Sequence, residues 1–302
     1  MSAGADVLDL PPQTEFVLSQ ADFREIAAML HEDAGIHLTG AKAALVYARL
    51  ARRLRALGLT SFRDYCALVK DRAGADERQK MLAALTTNVT SFFREPHHFD
   101  HLERVVLPPL LEAARAGARV RLWSAACSSG PEAYSMAMVI LSLRPDAARL
   151  DVRILASDVD PDMIAKAREG VYDEQTAASL PARLRERWTK PARASADAGS
   201  LRIAEEPRAL ISFRELNLNG AWPMKGPFHA IFCRNVAIYF EENTQMALWS
   251  RFPSMLAPGG RLYIGHSERL NGPAGRAFVA EGVTHYRLAG GAAHERRARS
   301  HR

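Results

Sequence analysis

The sequence predicts an α/β fold in which a sheet flanked by helices follows a small N-terminal helical domain and carries an inserted subdomain. Three observations lead to this prediction. The stretch RVRLWSAACSSGPEAYSMAM at residues 119–138 indicates a buried strand, a turn of small residues and a helix. Amphipathic helical segments precede residue 90, and the alternation of strands and helices breaks down between residues 171 and 210.

The turn at residues 124–130 suits a ligand that must approach the backbone closely. None of its side chains is larger than that of Cys127, and Pro131 fits a first helical turn, where its missing N–H costs nothing. Apolar residues then recur at helical spacing, at Tyr134, Met138 and Leu141. We expect this helix to pack one apolar face on the sheet. One glycine in AACSSGP does not by itself distinguish a cofactor loop from an ordinary tight turn.

An acid follows the second predicted strand, VRILA at residues 152–156. An acid at this position, here Asp158, is placed to accept hydrogen bonds from both hydroxyls of a ribose. The alternative is that Asp158 caps the helix beginning near Pro161, a role that Asp160 could fill equally well.

Two asparagines lie at the ends of later strands. Strands are predicted at residues 211–218, 228–233 and 261–265, with a helix at about 243–256 and a turn at 258–260. Asn217 and Asn235 fall on the side of the sheet where open α/β sheets bind ligands. Their amides suit an adenine edge and a ribose or amino-acid group, although each could instead only organise a turn.

Capping pairs and apolar periodicity predict a helical bundle over roughly the first 85 residues. Ser19 with Asp22 and Ser61 with Asp64 are typical of helix starts, and further helices are predicted at about residues 42–57 and 76–86.

A basic face is predicted on the second helix. Lys42, Arg49, Arg52 and Arg53 gather beside its apolar side, whereas Arg55 falls outside this face. Four cations without an interleaved acid are unusual for a face that is merely solvated, which is the alternative. We expect a docking surface for an acidic partner.

The segment TTNVTSFFRE at residues 86–95 joins the bundle to the α/β unit. Because a linker would not usually expose two adjacent phenylalanines, we expect it to pack over the small-residue turn, with Asn88, Thr90 and Arg94 facing inward. Three histidines, His97, His98 and His101, follow. No metal site is expected there, on the reasoning that no carboxylate or cysteine completes the set of ligands nearby.

Composition narrows the class of protein. The 302 residues are 48% hydrophobic and 25% charged, which describes one large or two unequal domains. No apolar run approaches the ~20 residues that cross a bilayer, and the first residues lack a signal pattern, so we expect a cytoplasmic protein without membrane insertion. Three cysteines without metal or redox spacing fit a reducing compartment. The net charge of +6 favours an acidic partner.

Six segments share the pattern of one known family in their order as well as their residues. They read TTNVTSFFRE, RLWSAACSSGPEAYSMAM, ASDVDPDMIAKAREGVY, FRELNL, FHAIFCRNVAIYF and LAPGGRLYIGHSE. Together they resemble the CheR-type chemotaxis receptor methyltransferases. The resemblance implies a cytoplasmic enzyme that transfers a methyl group from S-adenosylmethionine to glutamate side chains of chemoreceptors, leaving S-adenosylhomocysteine.

The resemblance also implies a domain organisation. The expected fold is a class I S-adenosylmethionine-dependent methyltransferase, with a Rossmann-like sheet, an N-terminal helical domain and a small inserted β-subdomain. The helical domain is expected over residues 15–90 and the methyltransferase domain over 91–288, with the insertion at about 171–210. A disordered basic tail is expected over 289–302.

By resemblance, the cofactor contacts fall on nine residues. They are Asn88, Thr90, Arg94, Glu132, Asp158, Asn217, Leu218, Asn235 and Val236. Glu132 and Asp158 would meet the positive charge of the cofactor. Tyr239 and Arg121 are candidates for positioning the reactants, and the alternative for Tyr239 is a core aromatic.

The chemistry explains why no catalytic dyad is expected. A glutamate has a pKa of about 4.3 and is already ionised at neutral pH, so its attack on a sulfonium methyl needs no general base. Alignment and exclusion of water should supply much of the rate. The alternatives are a nucleic-acid methyltransferase, whose usual Asn/Asp-Pro-Pro-aromatic motif is missing, and a non-catalytic signalling scaffold of the same fold.

The expected partners are the cytoplasmic helices of chemoreceptors, with no nucleic acid, and the protein is expected to be a monomer. Some family members also bind a receptor's C-terminal pentapeptide as an added strand on the insertion. They have a glycine-spaced loop there, whereas residues 188–201 here contain only Gly199. We therefore expect this protein not to use the pentapeptide.

Overall fold

The structure of the protein is a computed structural model that describes residues 15–86, 88–192 and 199–290. The chain divides into a helical unit, Met1–Thr87 with Tyr239–Glu241, and a larger unit, Asn88–Ile238 with Glu242–Arg302. The tail predicted to be disordered lies outside the described residues from residue 291 onward. Among the described residues, no helix has the length and apolar character that crossing a bilayer requires.

The described part of the helical unit contains four α-helices. They are α1 (Gln20–Ala34), α2 (Ala43–Leu57), α3 (Phe62–Lys70) and α4 (Ala75–Leu85). The Ser19 hydroxyl accepts the Asp22 N–H at 3.1 Å, and Ser61 accepts the Asp64 N–H at 3.1 Å. Both predicted capping pairs are confirmed, because each serine satisfies a backbone donor that the helix leaves unpaired.

The larger unit contains eight further helices and ten strands among its described residues. The helices are α5 (Pro96–His101), α6 (Leu107–Arg115), α7 (Pro131–Leu143), α8 (Pro161–Glu169), α9 (Glu174–Ala177), α10 (Ala182–Trp188), α11 (Glu205–Ala209) and α12 (Glu242–Met255). The strands are β1 (Val120–Ala125), β2 (Val152–Asp158), β3 (Val171–Tyr172), β4 (Thr189–Pro191), β5 (Leu201–Ile203), β6 (Ile211–Glu215), β7 (Phe228–Cys233), β8 (Leu256–Ile264), β9 (Phe278–Gly282) and β10 (His285–Leu288).

Seven strands form one sheet in the order β6-β2-β1-β7-β8-β10-β9. The first five run parallel, and β10 pairs antiparallel with both β8 and β9. The predicted Rossmann-like sheet is confirmed, but the C-terminal hairpin of β9 and β10 was not predicted. Residues 258–260, predicted as a turn, lie within the bounds of β8, where the pairing with β7 passes from Leu256 directly to Arg261 and Gly259 has a φ of 67°.

The expected packing of helix α7 on the sheet is confirmed, and the helix is buried on nearly every side. Ser135 and Met136 are as fully buried as Tyr134 and Met138. The helix contacts β2 and β6 of the sheet and also α5 and α11. A helix that is apolar all round belongs in such a covered position.

The predicted inserted subdomain is a small three-stranded antiparallel sheet in the order β3-β5-β4. Helices α9, α10 and α11 accompany these strands in the chain. Part of the predicted glycine-poor loop, residues 193–198, lies outside the described residues.

Candidate active site

The candidate site lies at the carboxyl edge of the parallel strands. Strands β1, β2, β6 and β7 are parallel neighbours, so the loops that follow them meet at one edge of the sheet. These loops carry six of the nine predicted cofactor contacts, and the segment at residues 88–95 carries the other three.

The turn after β1 has an unusual backbone. Ala126 and Ser128 have positive φ angles of 63° and 50°, and Gly130 has a φ of 97°. A Cβ on Gly130 would lie 2.9 Å from the Cβ of Ala167, so only glycine fits there without displacing α8. Non-glycine residues in this region of φ are strained and concentrate at functional sites. This turn therefore brings backbone, rather than bulky side chains, to the sheet edge.

Asp158 at the end of β2 is held by the same turn. Its carboxylate accepts the Ser128 N–H at 2.7 Å and the Asp160 N–H at 3.0 Å, and the residue is 7% exposed. Burial raises its pKa from 3.8 to about 6, against the effect of these N–H groups. The capping alternative is excluded, since the Asp160 side chain caps α8 by accepting the N–H groups of Asp162 and Met163.

The segment at residues 88–95 packs over the turn, as predicted. The Ser128 hydroxyl donates to the Asn88 carbonyl at 2.9 Å, and the Asn88 amide donates to Asp160 at 2.8 Å. Phe92 is buried with its ring edge-on to Tyr172, 5.0 Å between centroids. Two other predicted contacts, Thr90 and Arg94, are half-buried in this segment, and the Arg94 guanidinium donates to the Val89 carbonyl at 3.2 Å.

Glu132 lies in a buried ionic network that sequence reasoning missed. One of its oxygens accepts the Ser124 hydroxyl at 2.6 Å, and the other accepts Arg234 Nη1 at 3.0 Å. Burial raises the pKa of Glu132, and the charge of Arg234 opposes that shift. The Arg234 side chain is 2% exposed and also contacts the Arg94 carbonyl and Glu95 Oε2, the latter at 3.3 Å.

Glu95 is a second anion in this network. Its backbone has a positive φ of 56°, and its carboxylate lies between Arg234 and His266. Burial alone would raise its pKa, but the charge of Arg234 and the hydrogen bonds from His266 outweigh burial and lower the pKa to about 2. Glu95 is therefore ionised at any physiological pH.

A buried carboxylate, Glu268, shapes the loop that carries Asn235 and Val236. It accepts the N–H groups of Asn235, Val236 and Ala237 at 3.0, 2.9 and 2.7 Å, and it is 3% exposed. Asn235 has a positive φ of 58°. A Cβ on Gly265 would lie 2.5 Å from the side-chain amide nitrogen of Asn235, so the absence of a side chain at Gly265 leaves room for this loop. Glu268 was not predicted as a functional residue.

The loop after β6 is fixed by an arginine from α12. The Leu218 carbonyl accepts Arg251 Nη1 at 2.6 Å and Trp222 Nε1 at 3.1 Å, and the guanidinium stacks 3.7 Å from the Trp222 ring centroid. The Asn217 side chain accepts the Asn219 N–H at 2.9 Å. Asn217 thus helps to organise a turn, as the alternative proposed, while remaining at the sheet edge.

The predicted positioning role of Arg121 was wrong. Arg121 lies near the start of β1, where its guanidinium donates to the Asp151 carboxylate at 2.5 Å and to the Asp151 carbonyl at 2.8 Å. Ala125 at the carboxyl end of the strand is four residues away, about 13 Å at the rise of a β-strand. Arg121 therefore lies near the end of the sheet opposite the candidate site.

Tyr239 belongs by its contacts to the helical unit. Its carbonyl accepts the His37 N–H at 2.9 Å, and the Lys42 ammonium lies 5.8 Å from its ring centroid. The Tyr239 side chain is half-buried, so it is not a fully buried core residue. Its positioning role stays a prediction.

Two of the four cations on the predicted basic face have structural partners. Arg53 forms a two-point ion pair with Glu77 at 2.8 and 2.6 Å, and Arg49 donates to three carbonyls at the C-terminal end of α4. No acid is interleaved among these cations on α2, but Glu77 of α4 pairs with Arg53 from another helix, which the helical pattern of α2 alone does not show. Arg52 is exposed and Lys42 half-buried, and the expected docking surface reduces to these two.

The sequence argument against a metal site at His97 and His98 overlooked a nearby carboxylate, that of Glu95. Glu95, His97 and His98 offer ligand atoms that all lie within 4.8 Å of one another. However, the buried guanidinium of Arg234 lies 3.3 Å from the Glu95 oxygen, and it disfavours a second cation. We assign no metal to this cluster.

Comparison with known proteins identifies the family. Residues 88–286 match the family model described as "CheR methyltransferase, SAM binding domain", and residues 21–86 match "CheR methyltransferase, all-alpha domain". A probable chemotaxis protein methyltransferase of Rhizobium etli is 50% identical over 86% of this chain and 96% of that protein. Chemotaxis protein methyltransferases of Klebsiella aerogenes and Escherichia coli are 40% and 38% identical, over 90% and 95% of this chain and 90% and 98% of those proteins. The chain therefore belongs to the CheR family of chemotaxis methyltransferases and uses S-adenosylmethionine as its cofactor.

Proposed function

We propose that the protein methylates glutamate side chains on the cytoplasmic helices of chemoreceptors, and that it acts in the cytoplasm as a monomer. The observation that carries this proposal is the carboxyl edge of the sheet, where Asp158, Glu132 and Asn235 come from the loops of three adjacent strands. The relatives, which are chemotaxis protein methyltransferases by name, support it.

The residues of this edge fit S-adenosylmethionine. The strained turn after β1 lets a ligand approach the backbone, and the Asp158 carboxylate has lone pairs left for ribose hydroxyls after accepting two N–H groups. Glu132 supplies a buried anion near the same turn. The turn thus leaves room for the cofactor, Asp158 can bind its ribose, and Glu132 can oppose its positive charge.

The order of the strands suggests how the cofactor runs along the edge. With its ribose at Asp158 after β2, its adenine would lie toward β6, at Asn217 and Leu218. Its methionyl end would then lie over β1 and β7, at Glu132 and Asn235. Val236 and the three contacts of the segment at residues 88–95 would complete this end.

The carboxylates of the edge are suited to binding rather than to proton transfer. Both oxygens of Glu132 and both oxygens of Asp158 already accept hydrogen bonds from the protein. When bound, S-adenosylmethionine supplies an activated methyl group. A substrate glutamate is already ionised at neutral pH and needs no base, so these side chains only have to bind, align and exclude water.

Docking on the receptor is assigned to the two cations left on the basic face, Lys42 and Arg52. An exposed charge of this kind raises the rate of encounter with an acidic helix and is screened by salt.

The edge strand of the inserted subdomain supports the expectation that the receptor pentapeptide is not used. The Ala192 N–H donates to the Ser200 carbonyl at 2.9 Å, so Thr189 and Pro191 direct their backbone groups toward the free edge of β4. Pro191 has no N–H to offer an added strand. Titration of a receptor-tail peptide should give no saturable binding, and micromolar binding would contradict this.

A nucleic-acid methyltransferase is not favoured, because residues 21–86 and 88–286 match the two domains of a chemotaxis methyltransferase family. The test of the proposal is incubation of the protein with labelled S-adenosylmethionine and membranes that contain candidate receptors. We expect label that is released from the receptor as methanol in base, as esters are, and not from an Asp158→Ala control. Base-stable label, or label on nucleic acid, would contradict the proposal.

A further inference from the structure

The buried side chain of Arg234 connects three separate segments of the sheet edge. Its guanidinium contacts the carbonyl of Arg94, the carboxylate of Glu95 at 3.3 Å and the carboxylate of Glu132 at 3.0 Å. The next residue in the chain is Asn235. Three of the residues assigned to the methionyl end of the cofactor, Arg94, Glu132 and Asn235, are thus bound by Arg234 or adjacent to it.

We propose that Arg234 is a positioning residue that holds the methionyl end of the cofactor site, and with it the transferring methyl, in register. This proposal rests on the cofactor contacts assigned under the proposed function. With an exposed fraction of 2%, the Arg234 side chain has no freedom to act as a solvated charge.

The geometry requires a guanidinium and not merely a positive charge. Arg234 reaches three acceptors from two nitrogens, Nη1 toward Glu132 and Nη2 toward Arg94 and Glu95. A lysine would keep the charge opposite the two carboxylates but would present a single nitrogen, which cannot reproduce this planar fork. Arg234→Lys is therefore the variant that separates position from charge.

The chain offers a matched control at the other end of the site. Arg251 also fixes a loop through two backbone carbonyls, those of Leu218 and Gly220 at 2.6 and 2.8 Å, but this loop is assigned to the adenine. Arg251→Lys removes the same fork from the adenine side. The two variants should therefore affect different parts of the ligand.

Two ligands distinguish the two ends by equilibrium binding. S-Adenosylhomocysteine contains both the adenosyl and the amino-acid part, whereas 5′-methylthioadenosine lacks the amino-acid part. Calorimetry should show that Arg234→Lys raises the Kd of S-adenosylhomocysteine by about tenfold or more and leaves that of 5′-methylthioadenosine unchanged, because misplacement at one end affects only the contacts of that end. Arg251→Lys should raise both Kd values by a similar factor.

Two results would overturn the proposal: an unchanged Kd of S-adenosylhomocysteine in Arg234→Lys, or an equal rise for both ligands. If this variant does not fold, Glu95→Gln keeps the shape of the network and weakens one contact of Arg234. It should raise only the Kd of S-adenosylhomocysteine, and no change would equally refute the role. Since the readout is binding, a failure to methylate receptors would count against the proposed function alone.

Discussion

Protonation of Asp158 should weaken cofactor binding in mildly acidic solution. Burial raises the pKa of this carboxyl to about 6, well above its ordinary value of 3.8. In the proposed contact a ribose hydroxyl would donate a hydrogen bond to the carboxylate, so we expect the ionised form to be the one that binds. Between about pH 7.5 and about pH 5 the ionised fraction falls from nearly all to about one tenth, and the apparent Kd should rise about tenfold.

Unfolding does not explain such a loss of affinity, because the stability contribution has the opposite sign. A carboxyl whose pKa is raised on folding stabilises the fold fully below its unfolded pKa of 3.8, and that stability is lost as pH rises through about 6. At about 1.4 kcal/mol per pKa unit the difference is about 3 kcal/mol. For this group, the fold is more stable at about pH 5 than at neutral pH.

Calorimetric titration of S-adenosylhomocysteine across this pH range tests the prediction. Asp158→Asn is the control, and its affinity should be lower at neutral pH and independent of pH. Other titratable groups that interact with Asp158 are Asp160, which donates its N–H to Asp158, and Cys127, whose pKa burial raises well above its usual value. A wild-type Kd that does not change with pH, or a slope that survives in the variant, would refute the reasoning.

Three further predictions concern other parts of the molecule. Gly265→Ala should weaken cofactor binding about tenfold in calorimetry, because its Cβ would lie 2.5 Å from the Asn235 amide and displace that loop; unchanged affinity would contradict this. Arg53→Ala should lower the free energy of unfolding by about 3 kcal/mol in urea titrations, since the buried Glu77 carboxylate keeps the hydrogen bond from the Tyr65 hydroxyl but loses its cation; a loss below about 1 kcal/mol would mean that the pair behaves as an exposed one. Arg52→Glu should slow receptor methylation and reduce its dependence on salt, whereas Arg55→Glu, outside the basic face, should not; equal rates for both variants would contradict the docking role.

Local patterns in the sequence predicted what local physics determines. The caps at Ser19 and Ser61 depend on side chains three residues away, and the strand that ends at Asp158 depends on an apolar run that is visible in the sequence. The position of Asp158 followed from the general rule that parallel strands bind ligands at their carboxyl ends.

What the sequence did not reveal depends on contacts between distant residues. Arg234 binds a carboxylate 102 residues earlier, and Glu268 binds backbone groups about 32 residues earlier, and no periodicity marks either pair. The same cause explains the error at Arg53, whose partner Glu77 lies on another helix. Arg121 was misassigned although it is the second residue of β1, since the rule that ligands bind at the carboxyl ends of parallel strands already argues against it.

Identification of the methylated atom would show directly whether this protein methylates glutamate side chains. A chemoreceptor cytoplasmic fragment should be incubated with S-adenosylmethionine and either the wild-type protein or Asp158→Ala, and then mapped by tandem mass spectrometry. We expect methyl esters on glutamate side chains with the wild-type protein and none with a variant that remains folded. Methyl groups on lysine or another residue, or undiminished glutamate methylation by the variant, would contradict it.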